Sequence, residues 1–300
     1  MKLSVEFPAI SFREGPSAMA RLARSIEEMG YDHIDIFDHV VMGFPTANRE
    51  APRYPSRMPI LEAFMTLSFI AANTKHIGIG TEVLVLPQRQ PVLVAKQVST
   101  LDILSGGRVR LGVGVGWQES EYDMLHESFH NRGKRMDQAI HVLRECWGNE
   151  IVSYEMDHYS ADSMAFEPKS PQGAHIPIWI GGMSERALQR VGELGDGWLS
   201  MPLVDMDWAR QAVDTIRAHA VGAGRDPEAL GFQMMLDSPP QDEEGKLFYK
   251  NMDNIKARIE IVQELGFEWG SLNATAIFQA GYRTVDAMIE KLDQIREAVT

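Results

Sequence analysis

Cysteine is almost absent from this 300-residue chain: Cys146 stands alone, which excludes an internal disulfide and a cysteine-rich zinc site and fits a reducing cytoplasm. Its setting, Arg144-Glu145-Cys146-Trp147, resembles a helix face that buries the thiol as a small hydrophobe. Positive charge is in deficit. Against 42 Asp and Glu stand 29 Lys and Arg, a net −13 that repels phosphate backbones and anionic membranes, so nucleic acid is not an expected partner. Long apolar runs are also missing. The most apolar stretch, Ala63 to Ala72, is interrupted by Thr66 and Ser68 and falls short of the ~20 residues of a membrane span. The amino terminus reaches Arg13-Glu14 before any run that would build an export signal, so a cytoplasmic protein without membrane attachment is expected.

Several chemical signatures are absent too. Ala9-Ile10-Ser11 stands where a barrel metallohydrolase carries His-x-His, and no His-Glu-x-x-His occurs, so no metal site is expected. Gly-x-Ser-x-Gly and the P-loop lysine motif are missing, which removes the usual supports for acyl transfer and ATP hydrolysis.

What is present is an alternation of short β-branched runs with longer segments of helical period, at an average globular composition of 44% hydrophobic and 24% charged residues. Strands are expected at Leu3–Phe7, His33–Phe37, Ile77–Val85, Val109–Val115, Ile178–Gly181, Gly197–Ser200, Gly231–Leu236 and Ser271–Ala274. Between them lie amphipathic segments such as Ala18–Met29, Val92–Leu104, Arg132–Trp147 and Asp207–Val221. Eight βα pairs without a linker or composition break predict one (β/α)8 TIM-barrel domain over residues 1–300, with insertions in its βα loops.

Three connections are longer than a barrel needs and are expected to wall the pocket. Val40 to Pro59 carries Arg49, Arg53 and Arg57 among four prolines; Gly148 to Pro177 contains strand-like Ile151–Tyr154 and Met164–Phe166; Asp237 to Lys250 is polar and serves as a lid or a plain solvated loop. Two glycine clusters are more informative. Gly112-Val113-Gly114-Val115-Gly116-Trp117 ends the fourth strand, where missing side chains let a flat ligand approach the backbone. In Ile178-Trp179-Ile180-Gly181-Gly182-Met183-Ser184-Glu185-Arg186 a strand runs through two glycines into a helix, which makes either a phosphate seat on the amides of Gly182, Met183 and Ser184 or a tight turn capped by Ser184.

Taken in order, Gly80-Thr81-Glu82-Val83-Leu84-Val85-Leu86-Pro87, Leu101-Asp102-Ile103-Leu104-Ser105-Gly106-Gly107-Arg108, Leu111 to Trp117, Phe129-His130-x-Arg132-Gly133-x-Arg135-Met136-Asp137, Gly181-Gly182-x-Ser184 and Gly195-Asp196-Gly197-Trp198 resemble the luciferase-like flavin oxidoreductase family. The likeness is greatest to the branch that uses the deazaflavin coenzyme F420, and it covers residues 1 to about 200. The resemblance implies a TIM barrel, often a homodimer, that holds F420 or FMN at the carboxyl ends of its strands and acts on a small organic substrate. It implies a cofactor-binding set of Asp38, Thr81, Glu82, Val83, Gly114, Val115, Gly116, Ile180, Gly181, Gly182, Met183 and Ser184, with a cis peptide at Glu82–Val83 and His39 at the reactive edge. Under this reading Asp38 orients the catalytic imidazole of His39, and Arg49, Arg53 and Arg57 receive the acidic tail of F420. Sugar-phosphate dehydrogenases of the branch carry an acidic residue where Trp117 stands, so glucose 6-phosphate is not the implied substrate. Three activities remain open: hydride transfer with F420, an FMN-dependent monooxygenase using reduced flavin and oxygen, and a non-catalytic flavin-binding barrel.

Overall fold

Side chains alternate across a strand, so each barrel strand sends one set of residues toward the helices and the other into the barrel. The computed structural model describes residues 1–202, 205–237 and 243–299. Its strands are β1 (Lys2–Glu6), β2 (His33–Ile36), β3 (Gly78–Thr81), β4 (Leu84–Val85), β5 (Val109–Gly114), β6 (Val152–Glu155), β7 (Ser160–Met164), β8 (Ile178–Gly181), β9 (Gly197–Ser200), β10 (Gly231–Met235) and β11 (Trp269–Asn273). The parallel order β3-β2-β1-β11-β10-β9-β8-β5 is closed by pairing of β3 with β5, an eight-stranded (β/α)8 barrel with β4 as the continuation of β3.

The helices are α1 (Pro16–Glu28), α2 (Ala63–Asn73), α3 (Pro91–Ser105), α4 (Glu119–Met124), α5 (Arg132–Gly148), α6 (Glu185–Leu194), α7 (Met206–Gly222), α8 (Glu243–Phe248), α9 (Met252–Glu264), α10 (Ala274–Gln279) and α11 (Val285–Val299). None in the described residues is long and apolar enough to cross a membrane. The apolar core is the ring between strands and helices, where Val5, Ile34, Ile79, Val113, Ile180, Phe232 and Leu272 are fully buried. The barrel interior is different. Ser4, Glu6, His33, Asp35, Arg110, Gln233 and Ser271 are buried there, and Arg110 lies between the rings of Trp179 and Trp269, 4.4 and 4.9 Å from their centroids.

The expected third strand, Ile77–Val85, is broken by a bulge. Gly80 pairs with Arg110 and Leu84 with Val113, so four steps on one strand match three on the other, and the Glu82–Val83 peptide within the bulge is cis. The Thr81 hydroxyl closes the gap, donating to Gly112 O (2.6 Å) and accepting from Gly112 N (3.1 Å).

One expected pocket wall is displaced to the other end of the molecule. The segment between α5 and β8 follows a helix rather than a strand, so it sits at the amino-terminal rim: Gln172 Nε2 donates to Val109 O at the start of β5 (2.8 Å), and Lys169 Nζ donates to Asn149 O (2.6 Å). It does form an antiparallel hairpin, β6 with β7, but the second strand is Ser160–Met164 rather than Met164–Phe166. Most of those residues are exposed and carry no apolar period. Of the expected lid, residues 238–242 lie outside the described residues; its end is anchored where buried Tyr249 accepts the Asn273 N–H (2.9 Å).

Candidate active site

Every barrel strand is parallel, so the segments that follow β2, β3, β5 and β8 meet at one rim; Asp38, Val83, Gly116 and Gly182 all lie there. The centre of the rim is Val83. A Cβ on Gly114 would fall 2.6 Å from Val83 Cγ2, and one on Gly181 would fall 2.9 Å from Cγ1. The two glycines therefore let a single isopropyl group sit across two neighbouring strands as an apolar platform. Gly116, at φ +68°, gives the same close approach to Val85 (2.6 Å) and turns the chain in a conformation that favours glycine.

At the same rim, after β2, lies His39, buried with 5% side-chain exposure. Its Nδ1 is 3.0 Å from Glu121 Oε2, and the other oxygen of Glu121 accepts the N–H groups of Val40 (2.6 Å) and Val41 (3.3 Å). Burial opposes ionisation of Glu121, but the hydrogen bond and charge of His39 and the Val40 N–H outweigh it and hold the carboxyl below its ordinary range. Gln118 adds a second clamp on the same loop, accepting from Gly43 N (3.1 Å) and donating to Val41 O (2.7 Å). The rings of Trp117 and Tyr54 stand edge-on to the imidazole, at 5.2 and 5.8 Å between centroids, and Arg53 lies 5.6 Å over Trp117.

Asp38 is not the partner of His39. Its oxygens receive Arg89 Nη2 (2.8 Å) and Val85 N (3.2 Å), so it pins the strand segment after the bulge; burial pushes its carboxyl up and Arg89 opposes the shift. Two other expected cofactor residues turn away. Strand alternation sends Ile180 outward, fully buried against Gly195, and packs Val115 on the helical core. Thr81 is occupied by the Gly112 backbone, as described above. Ser184 caps α6 by accepting from Ala187 N (3.2 Å), and Trp198 Nε1 donates to Gly182 O (2.8 Å), so this turn is fixed with the first-turn amides of α6 and exposed Met183 at the rim.

Under the rim lie two buried carboxyls, Glu82 and Glu6. Glu82 accepts from Ser271 Oγ (2.7 Å); burial and the charge of Asp35 push it up to about 7. Glu6 accepts from Thr275 Oγ1 (3.3 Å); burial and the charge of Glu82 push it up to about 8 from an ordinary 4.5. The folded protein thus binds protons that the unfolded chain has already released, and stability falls as pH rises from about 4.5 to about 8. A Glu6→Gln variant should flatten this decline by about 2–4 kcal/mol, read as urea midpoints at pH 5 and pH 9; parallel pH profiles for the two proteins would refute it.

Glu121, Tyr54, Trp117, Arg89 and Glu6 were not among the expected site residues, and Trp117 stood out only as a departure from a family pattern. Arg49, Arg53 and Arg57 are exposed, and the loop spreads them: Arg49 lies beside Phe44 O, Arg53 over Trp117 and Arg57 over the Phe44 ring.

The model described as luciferase-like monooxygenase matches residues 4–240. An uncharacterised protein of Mycobacterium tuberculosis is 32% identical over 187 residues, 59% of this chain and 63% of its own length. An F420-dependent glucose-6-phosphate dehydrogenase of Microbacterium testaceum is 29% identical over 197 residues, 65% of this chain and 55% of its own. The chain thus spans less than two thirds of either relative. Among solved structures, a monooxygenase, RslO1, from Streptomyces bottropensis superposes with a TM-score of 0.81 at 18% identity, covering 100% of this chain and 98% of that one, a likeness of fold.

Proposed function

Because the chain belongs to the luciferase-like monooxygenase family, we propose that it is an oxidoreductase that moves hydride between the deazaflavin coenzyme F420 and a small organic molecule. The observation that carries the reading is the Val83 platform, seated on Gly114 and Gly181 at the same rim as a buried His39–Glu121 pair. The residues fit a flat tricyclic group: Gly114 and Gly181 make room for the Val83 isopropyl group, that group would support the face of the ring, and the Gly182–Ser184 turn offers amides to a phosphate. When bound, a deazaflavin supplies hydride chemistry and is poor at one-electron and oxygen chemistry.

The chain's own residues do the rest. Glu121 holds Nδ1 of His39, so Nε2 is the nitrogen left to exchange a proton with the reacting oxygen or nitrogen of the substrate. Trp117 and Tyr54 cover the imidazole and exclude water from that exchange. Exposed Met65, Leu93 and Leu104 on α2 and α3 support a homodimer as the working assembly.

Titrating F420 and FMN separately into wild-type protein and a Gly181→Leu variant tests the proposal. F420 should bind the wild type in preference to FMN, and the variant, which displaces Val83, should lose at least about tenfold in affinity. Preference for FMN would transfer the reading to a monooxygenase that uses reduced flavin and oxygen. Tight flavin binding with no turnover of any substrate would point to a non-catalytic flavin-binding barrel. Unchanged affinity in Gly181→Leu would remove the platform from the site.

A further inference from the structure

Three segments that follow barrel strands, the 3-10 turn Ala9–Glu14, the loop after β2 and helix α10, enclose a cavity of about 250 Å³. Its walls are Ile10, Met58, Phe278 and three prolines, and among the described residues the only full charges on it are Arg13 and Arg57. Through Ile10, Arg13 and Phe278 it adjoins a second space of about 510 Å³, where Arg283 adds a further cation. Among the described residues Glu14 is the one carboxylate there, and it is taken up by the Val285 N–H at 2.7 Å. Among the described residues none of these three arginines pairs with a carboxylate. In a chain of net −13, three cations without a carboxylate partner around two adjoining spaces run against the average charge of the protein.

This space reaches the proposed reacting centre through the loop after β2 and the buried carboxyl of Glu6 under the rim through α10. Thr275 lines the cavity and donates to Glu6 at 3.3 Å; Pro55 lines it while the preceding residue, Tyr54, faces His39. We infer that the cavity is the substrate site and that the substrate is an apolar molecule bearing one carboxylate, received by Arg13 and Arg57. Apolar walls reward burial of the chain, and guanidinium groups at the exposed edge pair with a carboxylate without desolvating it fully. The inference rests on the reading of the carboxyl rim as the reacting face. The same arginine chemistry would also serve the oligoglutamate tail of a cofactor, which carries carboxylates but no apolar body.

Calorimetric titration without cofactor separates these sources, using octanoate, 1-octanol and γ-glutamylglutamate as probes. Octanoate should bind the wild type, weaken with added salt, and lose about tenfold in affinity in each of Arg13→Gln and Arg57→Gln. Octanol should bind all three proteins alike, and the dipeptide at least about tenfold more weakly than octanoate. Failure of octanoate to bind, equal octanoate affinity in wild type and variants, or dipeptide binding as tight as octanoate would each overturn the assignment, the last by making the arginines a tail seat. Both arginines are exposed, and circular dichroism of the variants checks that they fold. No cofactor enters these titrations, so failure here leaves the flavin reading standing, and failure of F420 or FMN to bind leaves this result standing.

Discussion

Turnover of a His39→Ala variant is expected to fall by about 10²–10⁴, the span usual for loss of a positioned acid or base, with the dissociation constant of the cofactor nearly unchanged. The two effects separate because His39 is held by Glu121 from the α4 side, whereas the platform is built from β3, β5 and β8. Added imidazole should restore part of the lost rate in the alanine variant. Glu121→Gln is the companion experiment. It keeps an oxygen for the Val40 and Val41 N–H groups but removes the negative charge beside the imidazole, so the rate should fall by about 10–100-fold, as for other orienting partners. Wild-type turnover by His39→Ala would end its assignment as the proton carrier, and an unchanged rate in Glu121→Gln would leave that carboxylate with loop anchoring alone.

The parts of this site that were legible beforehand are those whose signal is local. Gly114, Gly181 and Gly182 could be picked out because glycine at a strand end reports a close approach wherever the partner lies. Val83 and His39 came from ordered runs of sequence that resemble a family. The orienting carboxylate had no such signal. Glu121 lies 82 residues from His39 along the chain, in a six-residue helix with nothing periodic to mark it, and Asp38 was the adjacent acid. Geometry separated the two: consecutive residues leaving β2 point apart, sending Asp38 to Arg89 and His39 to Glu121. The hairpin between α5 and β8 was assigned to the wrong rim for a similar reason. Its length was visible, but its end of the barrel depends on whether a strand or a helix precedes it, and α5 had already carried the chain back.

The polar barrel interior was also readable in principle. In β2, His33-Ile34-Asp35-Ile36 alternates strictly, which in an ordinary half-buried strand would put His33 and Asp35 in water. Closure of the sheet puts them inside instead, beside Arg110 and Gln233, and the apolar partners Ile34 and Ile36 face the helices. A helix-covered barrel thus turns an amphipathic strand pattern inside out, and the interior has to supply its own counter-charges.

Those counter-charges make Arg110 the residue whose loss should be most damaging to stability. Arg110 Nη2 is 2.9 Å from Asp35 Oδ2 and 2.9 Å from Gln233 Oε1, and His33 Nδ1 is 2.9 Å from Asp35 Oδ1. Burial alone would raise the Asp35 carboxyl; the charges of His33 and Arg110 reverse that and hold it well below the usual carboxylate range. Arg110→Met fills the slot between Trp179 and Trp269 with an apolar chain but leaves Asp35 buried without its cation. The expected loss is about 3–5 kcal/mol at pH 8, measured by urea unfolding, since breaking a buried pair strands the other charge. The sign with pH follows from His33, whose imidazole is held down first by burial and then by the Arg110 charge. With that charge gone, His33 takes a proton more readily and replaces the missing cation, so the deficit should shrink between pH 8 and pH 5.5. Asp35→Asn in the same background should recover stability at pH 8 by removing the stranded charge. A deficit below about 1 kcal/mol, or one that does not change with pH, would show that the edge-to-face tryptophan pair rather than the Arg110–Asp35 pair holds the barrel interior together.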